Sequence, residues 1–361
     1  MVFPGKAYVN FENPEQREFA KSDPKGFLVQ YGSGAVLDEI QRVPEFPSYL
    51  QTIVDERKTT GQFILTGSQQ FEVMNTITQS LAGRTALLKL LPFSVEELKV
   101  LGPLPSLNSL ILTGFYPRIY DGNLNPTQAL GDYFETYVER DLRQLVAVKD
   151  LSLFRKFVRL CAGRVGQLLN LQSLGNDAGV SHTTARAWIS LLEASYIVFL
   201  MPHWYKNISQ RQVKSSKLYF YDVGLASYLL GLENEKQVSR DPLRGNLFEN
   251  MIVTEFLKHR FNGGRKNNLY FYRDKRGVEV DLLFETASSV FPVEIKAGAT
   301  VASDYFDGLK AIARVFPKMP KKGAVIYGGD QAQLRSDFPV YPVTDVGSLL
   351  SRLEVDNDPL S

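Results

Sequence analysis

The chain has a single cysteine, Cys161, and only three histidines, His182, His203 and His259, in 361 residues. One thiol excludes an internal disulfide and any multi-cysteine zinc site, and it suits a reducing cytoplasm. The histidines are too scattered for a His-Glu-x-x-His zinc motif. No apolar run approaches the roughly 20 residues of a membrane-spanning helix, and the opening Met1-Val2-Phe3-Pro4-Gly5-Lys6 lacks the apolar core of a signal peptide. These absences point to a soluble cytoplasmic protein with no membrane partner. A surplus of charge is also missing: 41 basic against 39 acidic side chains leave a formal +2, so nucleic-acid binding has to rest on a local patch.

What is present is a globular composition, 44% hydrophobic and 22% charged, which leaves little room for disorder. The length suggests two or three domains. Along the first hundred residues short apolar strands alternate with helical patterns. Tyr8-Val9-Asn10-Phe11, Ala35-Val36-Leu37 and Phe63-Ile64-Leu65 read as strands of a parallel sheet, with polar residues gathered at their C-terminal ends, where such sheets bind ligands. The second strand runs into Asp38-Glu39. Paired acids at a strand end can hold Mg²⁺ and polarise a water, or they can simply be a solvated turn.

The segments "YVNFENP", "VLDEIQRVPEF", "FILTGSQQF" and "SLAGRTALLKLLPFSVEEL" resemble the AAA-family ATPases of bacteria and archaea that carry a C-terminal nuclease-like domain. The resemblance covers residues 1–100 as a partial AAA-type ATPase domain. It implies that Asp38 and Glu39 are the Walker B acids, with Asp38 on Mg²⁺ and Glu39 on the attacking water. Thr66 and Ser68 take the sensor position. Arg84 is an arginine finger acting across a homo-oligomer boundary, or else a surface or capping arginine. ATP is the implied nucleotide. The sequence nevertheless contains no Gly-x-x-x-x-Gly-Lys-[Ser/Thr] loop, the element whose N–H groups cradle the phosphates. In the family that loop precedes the strand equivalent to residues 8–11, so the chain reads as N-terminally truncated, with ATP binding and hydrolysis impaired.

Residues 101–150 read as a helical linker or lid, beginning after Pro103 and Pro105. Within it Gly114-Phe115-Tyr116-Pro117-Arg118 resembles a short motif of the same family with no chemical role derivable from its residues. Residues 151–222 give a helix, a helix-turn-helix pattern and two strands, which together predict a winged helix. A recognition helix beginning at His182 would present Thr183, Thr184 and Arg186 to a major groove. Lys206, Arg211, Lys214 and Lys217 on the wing would meet phosphates. Such modules also serve only to pack domains together.

Residues 240–345 open with a helix and continue with three strands, a helix and a further strand. In Val293-Glu294-Ile295-Lys296 the period of two places Glu294 and Lys296 side by side on one face. With Asp281 on a neighbouring strand, Asp281 and Glu294 could share a divalent cation. This order resembles the PD-(D/E)xK nuclease superfamily, which implies that Glu249 is the helix acid, with Glu255 as its rival. Asp281 and Glu294 would be the metal ligands and Lys296 the lysine beside the attacking water. Arg273, Lys275 and Arg276 could guide a phosphate backbone toward that metal.

The expected fold is thus an α/β multidomain chain: a partial parallel-sheet AAA-type domain, a helical segment, a winged helix-turn-helix and a mixed α/β PD-(D/E)xK-like domain. Three functions follow as expectations: an ATPase acting near nucleic acid, a metal-dependent nuclease, or a non-enzymatic DNA- or protein-binding remnant.

Overall fold

A computed structural model describes residues 3, 5–57, 59–67, 81–139, 150–205, 216–275, 277–286, 289–316 and 322–355. The chain is mixed α/β and divides into two compact units, Met1–Leu87 and Leu88–Ser361.

The first unit carries a three-stranded parallel sheet in the order β1 (Ala7–Asn10), β2 (Ala35–Asp38), β3 (Ile64–Leu65). Tyr8 stands opposite Val36, and Val36 opposite Ile64. Helices α1 (Pro14–Ser22) and α2 (Pro24–Gln30) each begin on a side-chain cap, Asn13 and Asp23, followed by proline at the first helical position. Proline is favourable there because its missing N–H would have had no helical partner. With α3 (Phe46–Arg57) they close a core around Phe27, whose ring meets those of Phe11, Phe19, Tyr31 and Phe46 at centroid distances of 4.7–5.8 Å.

The second unit starts with α4 (Val95–Leu101), held by a Ser94/Glu97 capping box. It continues through α5 (Leu107–Thr113), α6 (Pro117–Asp121) and α7 (Pro126–Tyr133), which runs on into a π-helical turn over Phe134–Glu139. The Gly114-Phe115 motif acquires a structural role here. The fully buried Asp222 carboxylate accepts the Phe115 N–H at 2.7 Å and the Leu225 N–H at 3.0 Å. Gly114 sits at φ +69°, and a Cβ there would come within 2.2 Å of Asp222.

Three helices follow, α8 (Leu151–Ala162), α9 (Leu171–Ala178) and α10 (His182–Ala194). Gly179, at φ +85°, ends α9, and Ser181 caps α10 through the Thr184 N–H. Cys161 is fully buried among apolar side chains, as expected of a core residue. An antiparallel ribbon, β4 (Val198–Met201) with β5 (Lys217–Phe220), completes the segment. Tyr196, at a positive φ of 53°, turns the chain just before β4 begins at Val198.

After α11 (Val223–Leu229) and α12 (Glu235–Arg240) comes the long α13 (Arg244–Asn262). A five-stranded mixed sheet then has the order β10-β9-β8-β7-β6. Its strands are β6 (Leu269–Arg273), β7 (Glu279–Glu285), β8 (Val290–Lys296), β9 (Ala324–Tyr327) and β10 (Val340–Pro342), with the β6–β7 and β7–β8 pairs antiparallel and the rest parallel. One sheet face, with Leu282, Phe284, Val293 and Ile295, joins a core containing Phe248, Ile252 and Phe256 of α13. The other, with Leu283, Val325 and Tyr327, packs on Leu309 and Ile312 of α14 (Asp307–Val315). The helix α15 (Val346–Val355) closes the unit. The α13-side core is continuous from Leu91 through the three helices and the ribbon to Leu353.

Candidate functional site

In the first unit the expected acids lie at the C-terminal end of the middle strand. Asp38 is the last residue of β2, and its carboxylate accepts the Tyr8 hydroxyl at 2.6 Å and the Thr66 hydroxyl. Tyr8 can reach because it pairs with Val36 and so shares a sheet face with Asp38. The bond to Asp38 raises the Tyr8 hydroxyl pKa. Glu39 leaves the strand in the left-handed region, φ 58°. Its carboxylate accepts the Gln41 side-chain amide at 2.6 Å. The oxygen-only set of Asp38 and Thr66 fits a hard cation. Lys6 donates to the Gln62 carbonyl at 2.8 Å. Ser68 lies outside the described residues. Arg84 forms a two-point ion pair with Asp55 of α3, at 2.5 and 2.9 Å.

In the second unit Asp281 and Glu294 lie on adjacent strands, one step beyond the Leu282–Val293 pair. Lys296 donates to Asp281 at 3.0 Å and to Glu294 at 2.6 Å, and the Ile295 N–H binds Asp281 at 2.8 Å. A β-bulge shapes this point. Tyr270 and Tyr272 of β6 pair with Leu283 and Val280, so β7 holds one extra residue beside Asp281. Bulges of this kind re-aim side chains next to sites.

Two elements outside the sheet complete the cluster. Glu249 of α13 accepts the Lys217 ammonium at 3.0 Å and the Tyr219 hydroxyl, both from β5. Lys217 also pairs with Glu279 at 3.0 Å. Its side chain is only 5% exposed, which corrects the expectation that it lies on a wing facing phosphates. Alternation in β5 turns both Lys217 and Tyr219 inward. Lys217, Tyr219 and Glu279 are the cluster members that sequence reading missed. Only the alternation of Lys217 and Tyr219 hinted at a shared face, and nothing local showed what that face meets.

The rival helix acid, Glu255, belongs elsewhere. Its carboxylate binds Lys258 at 2.7 Å and the Val95 N–H at 2.8 Å, so Glu249 is the acid of α13 that faces the sheet cluster. Arg273 is exposed and lies 3.7 Å from Glu279. Lys275 is exposed as well, and Arg276 lies outside the described residues.

Burial sets the electrostatics, and neighbouring charges add to it or oppose it. Burial, reinforced by Asp281 and opposed by Lys296, pushes Glu294 up to about 9. Burial pushes Glu249 up to about 7, with Lys217 pulling against it and Asp281 adding to it. Burial also acts to raise Asp281, but Lys296 and Lys217 outweigh it and lower its pKa. Burial disfavours the charged forms of Lys217 and Lys296, yet the surrounding carboxylates win and raise both. Among the described residues no group of three or more His, Cys, Asp or Glu side chains is arranged to hold a metal ion. Two ammonium groups stand between the acids instead. The donor chemistry nonetheless suits a hard cation: Asp281 and Glu294 are neighbouring buried carboxyl groups, and a positive charge between them would favour the ionised form of Glu294.

On α10, Thr183 and Arg186 are exposed, while the Thr184 hydroxyl lies 2.9 Å from that of Ser181. Lys206, Arg211 and Lys214 lie outside the described residues. No helix among the described residues is long and apolar enough to cross a membrane.

Residues 4–99 match an AAA domain, residues 104–236 a domain of unknown function (DUF8612), and residues 244–346 another (DUF4143). An uncharacterized protein of Mycobacterium tuberculosis is 28% identical over 281 residues, 77% of this chain and 62% of the relative. One of Mycobacterium bovis matches to the same extent. An uncharacterized protein of Haemophilus influenzae is 23% identical over 278 residues, 71% of this chain and 67% of its own. The chain therefore spans about three fifths of the length of the mycobacterial relatives it matches. AAA domains in general use ATP and Mg²⁺, and the AAA match over residues 4–99 makes the N-terminal part of this chain similar to AAA-type ATPases.

Proposed function

We propose that the first unit supplies the magnesium and water side of an ATP site in an AAA-type ATPase. The observation carrying this reading is Asp38 at the end of the middle parallel strand, bonded to Thr66 at the end of the next one. In this scheme Asp38 would hold Mg²⁺, and the ion would supply neutralisation of the phosphate charge. Glu39, on its own side of the strand end, accepts a proton from the attacking water. Thr66, and Ser68 with it, orients that water. Arg84 exchanges Asp55 for a phosphate of a neighbouring copy, acting as an arginine finger in a homo-oligomer.

The sequence contains no Gly-x-x-x-x-Gly-Lys-[Ser/Thr] run, so the test adds such a segment upstream of the chain. ATP turnover is expected there, and Glu39→Gln should lower it by about 10²–10⁴-fold, the usual worth of a general base, with nucleotide still bound. An extended chain that binds ATP yet hydrolyses none, or a Glu39→Gln variant of full rate, would refute the reading.

A second reading concerns the other unit: a metal-dependent nuclease using Asp281 and Glu294 as ligands, Lys296 beside the water and Glu249 as the helix acid. The convergence of these four side chains favours it. The exposed Thr183 and Arg186 of a winged-helix segment would then offer contacts to nucleic acid. Single- and double-stranded DNA incubated with Mg²⁺ or Mn²⁺ should be cut by the wild type and left intact by Asp281→Ala. Identical products from both proteins would sink this reading.

A further inference from the structure

The near-neutral chain contains a local surplus of positive charge. Residues 151–194, from the start of α8 to the end of α10, hold five basic and two acidic side chains, a net +3 against +2 for the whole sequence. The two acids do little to offset it on the surface: Asp177 is taken up by Arg164, and Glu193 is half-buried. Arg155, Lys156 and Arg159 of α8 and Arg186 of α10 are exposed. Among the described residues Lys156, Arg159 and Arg186 enter no ion pair.

The helix that carries most of this charge is two-sided. Phe154, Phe157, Val158 and Cys161 of α8 are buried, and the first two rings meet Trp188 of α10 edge-on, each at a centroid distance of 5.2 Å. That packing turns the opposite face outward. The exposed positions of α8 are Ser152, Arg155, Lys156 and Arg159, none of them apolar.

We infer that the outer face of α8 is a nucleic-acid contact surface, on which Lys156 and Arg159 meet the phosphate backbone of a duplex with Arg155 beside them. The make-up of the face selects this partner. A membrane-surface helix needs a free apolar side, and that of α8 is buried in the core. A protein partner is held by apolar or aromatic anchors, with lysine depleted at the contact, and α8 exposes no such anchor. A phosphate backbone asks only for fixed positive charge. Arg155 and Arg159 stand one turn apart, about 6 Å along the helix axis, and duplex DNA presents about three charges over that length. Contacts of this kind hold a duplex without reading its sequence. This goes beyond the nuclease reading, because it requires neither cleavage nor a metal ion.

Fluorescence anisotropy of a short labelled DNA duplex tests it, with the full chain in EDTA over about 50–200 mM salt. The wild type is expected to bind, with log K falling linearly against log salt. Lys156→Gln/Arg159→Gln should make that slope shallower by about 1.8, the worth of two phosphate contacts at about 0.9 each. Its Tm should stay at the wild-type value, since both side chains are exposed. Should the double variant fail to fold, each single variant should show about half the change in slope. Lys236→Gln/Arg240→Gln, which removes two exposed bases from α12, should keep the wild-type slope. A wild type that leaves the duplex free at the lowest salt, or two double variants with equal effects, overturns the proposal. So does a poly-glutamate chain bound as tightly as the duplex, which would point to an acidic protein instead. Binding in EDTA without cleavage in Mg²⁺ would sink the nuclease reading and leave this surface standing, whereas cleavage with an unchanged slope in Lys156→Gln/Arg159→Gln would do the reverse.

Discussion

Replacing Lys258 with methionine is expected to lower the stability of the second unit by about 3–5 kcal/mol, the cost of breaking a buried ion pair from one side. The Lys258 side chain is 1% exposed and its partner Glu255 3%. Its ammonium donates to Glu255 and to the Phe93 carbonyl, each at 2.7 Å, and lies 3.9 Å from the Phe115 ring centroid. Glu255 in turn accepts the Val95 N–H at the start of α4. The pair therefore clasps α13 to α4 and to the Gly114-Phe115 turn. Methionine fills much the same volume but leaves Glu255 as a bare buried carboxylate. Adding Glu255→Gln should return part of the loss, because a neutral amide replaces that charge. Urea unfolding followed by circular dichroism measures both effects. A loss below about 1 kcal/mol for Lys258→Met would mean the interior carboxylate finds another partner, contrary to its present geometry.

Stability of the second unit should fall as pH rises from about 5 to 9, and Glu294→Gln should flatten that decline. Burial and the neighbouring Asp281 push Glu294 up to about 9 from its ordinary 4.5. The unfolded chain releases this proton near 4.5 while the folded chain keeps it. The folded state therefore binds more protons across the window, and stability decreases with pH until the folded group also ionises. Each pKa unit is worth about 1.4 kcal/mol, so even two units' worth of displacement makes an effect of about 3 kcal/mol. Melting curves at several pH values should show Glu294→Gln near the wild type at pH 5 and above it at pH 9. A wild type whose Tm does not fall over that range, or a variant with the same slope, would show that Glu294 is ionised throughout.

The parallel strands of the first unit were legible because each is a short apolar run bounded by polar residues. The Glu294–Lys296 pairing was legible for a similar reason, since alternation along a strand is a local property. The helices over Leu107–Thr113 and Val223–Leu229, and the strand Val340–Pro342, were not picked out. The two helices are seven residues each and the strand three, too short for a periodic pattern to declare itself. The Gly114-Phe115 motif had no readable role, because its partner Asp222 lies 107 positions away.

The sequence by itself determined where acids and a lysine fall along the elements: Asp38 and Glu39 at a strand end, Asp281, Glu294 and Lys296 on strands, and Glu249 and Glu255 on a helix. It left Lys217 looking like one more surface base beside Lys206, Arg211 and Lys214. Only the tertiary structure set Glu249 against Lys217 and Tyr219 and Glu255 against Lys258, gave Glu39 its positive φ, and buried Lys217 between Glu249 and Glu279. The physical reason is that local pattern fixes which face a side chain occupies, whereas its protonation and its partners depend on charges brought from distant segments. Burial strengthens those charges' mutual effect, so the properties that matter most for the acid site are the ones a linear reading could not supply.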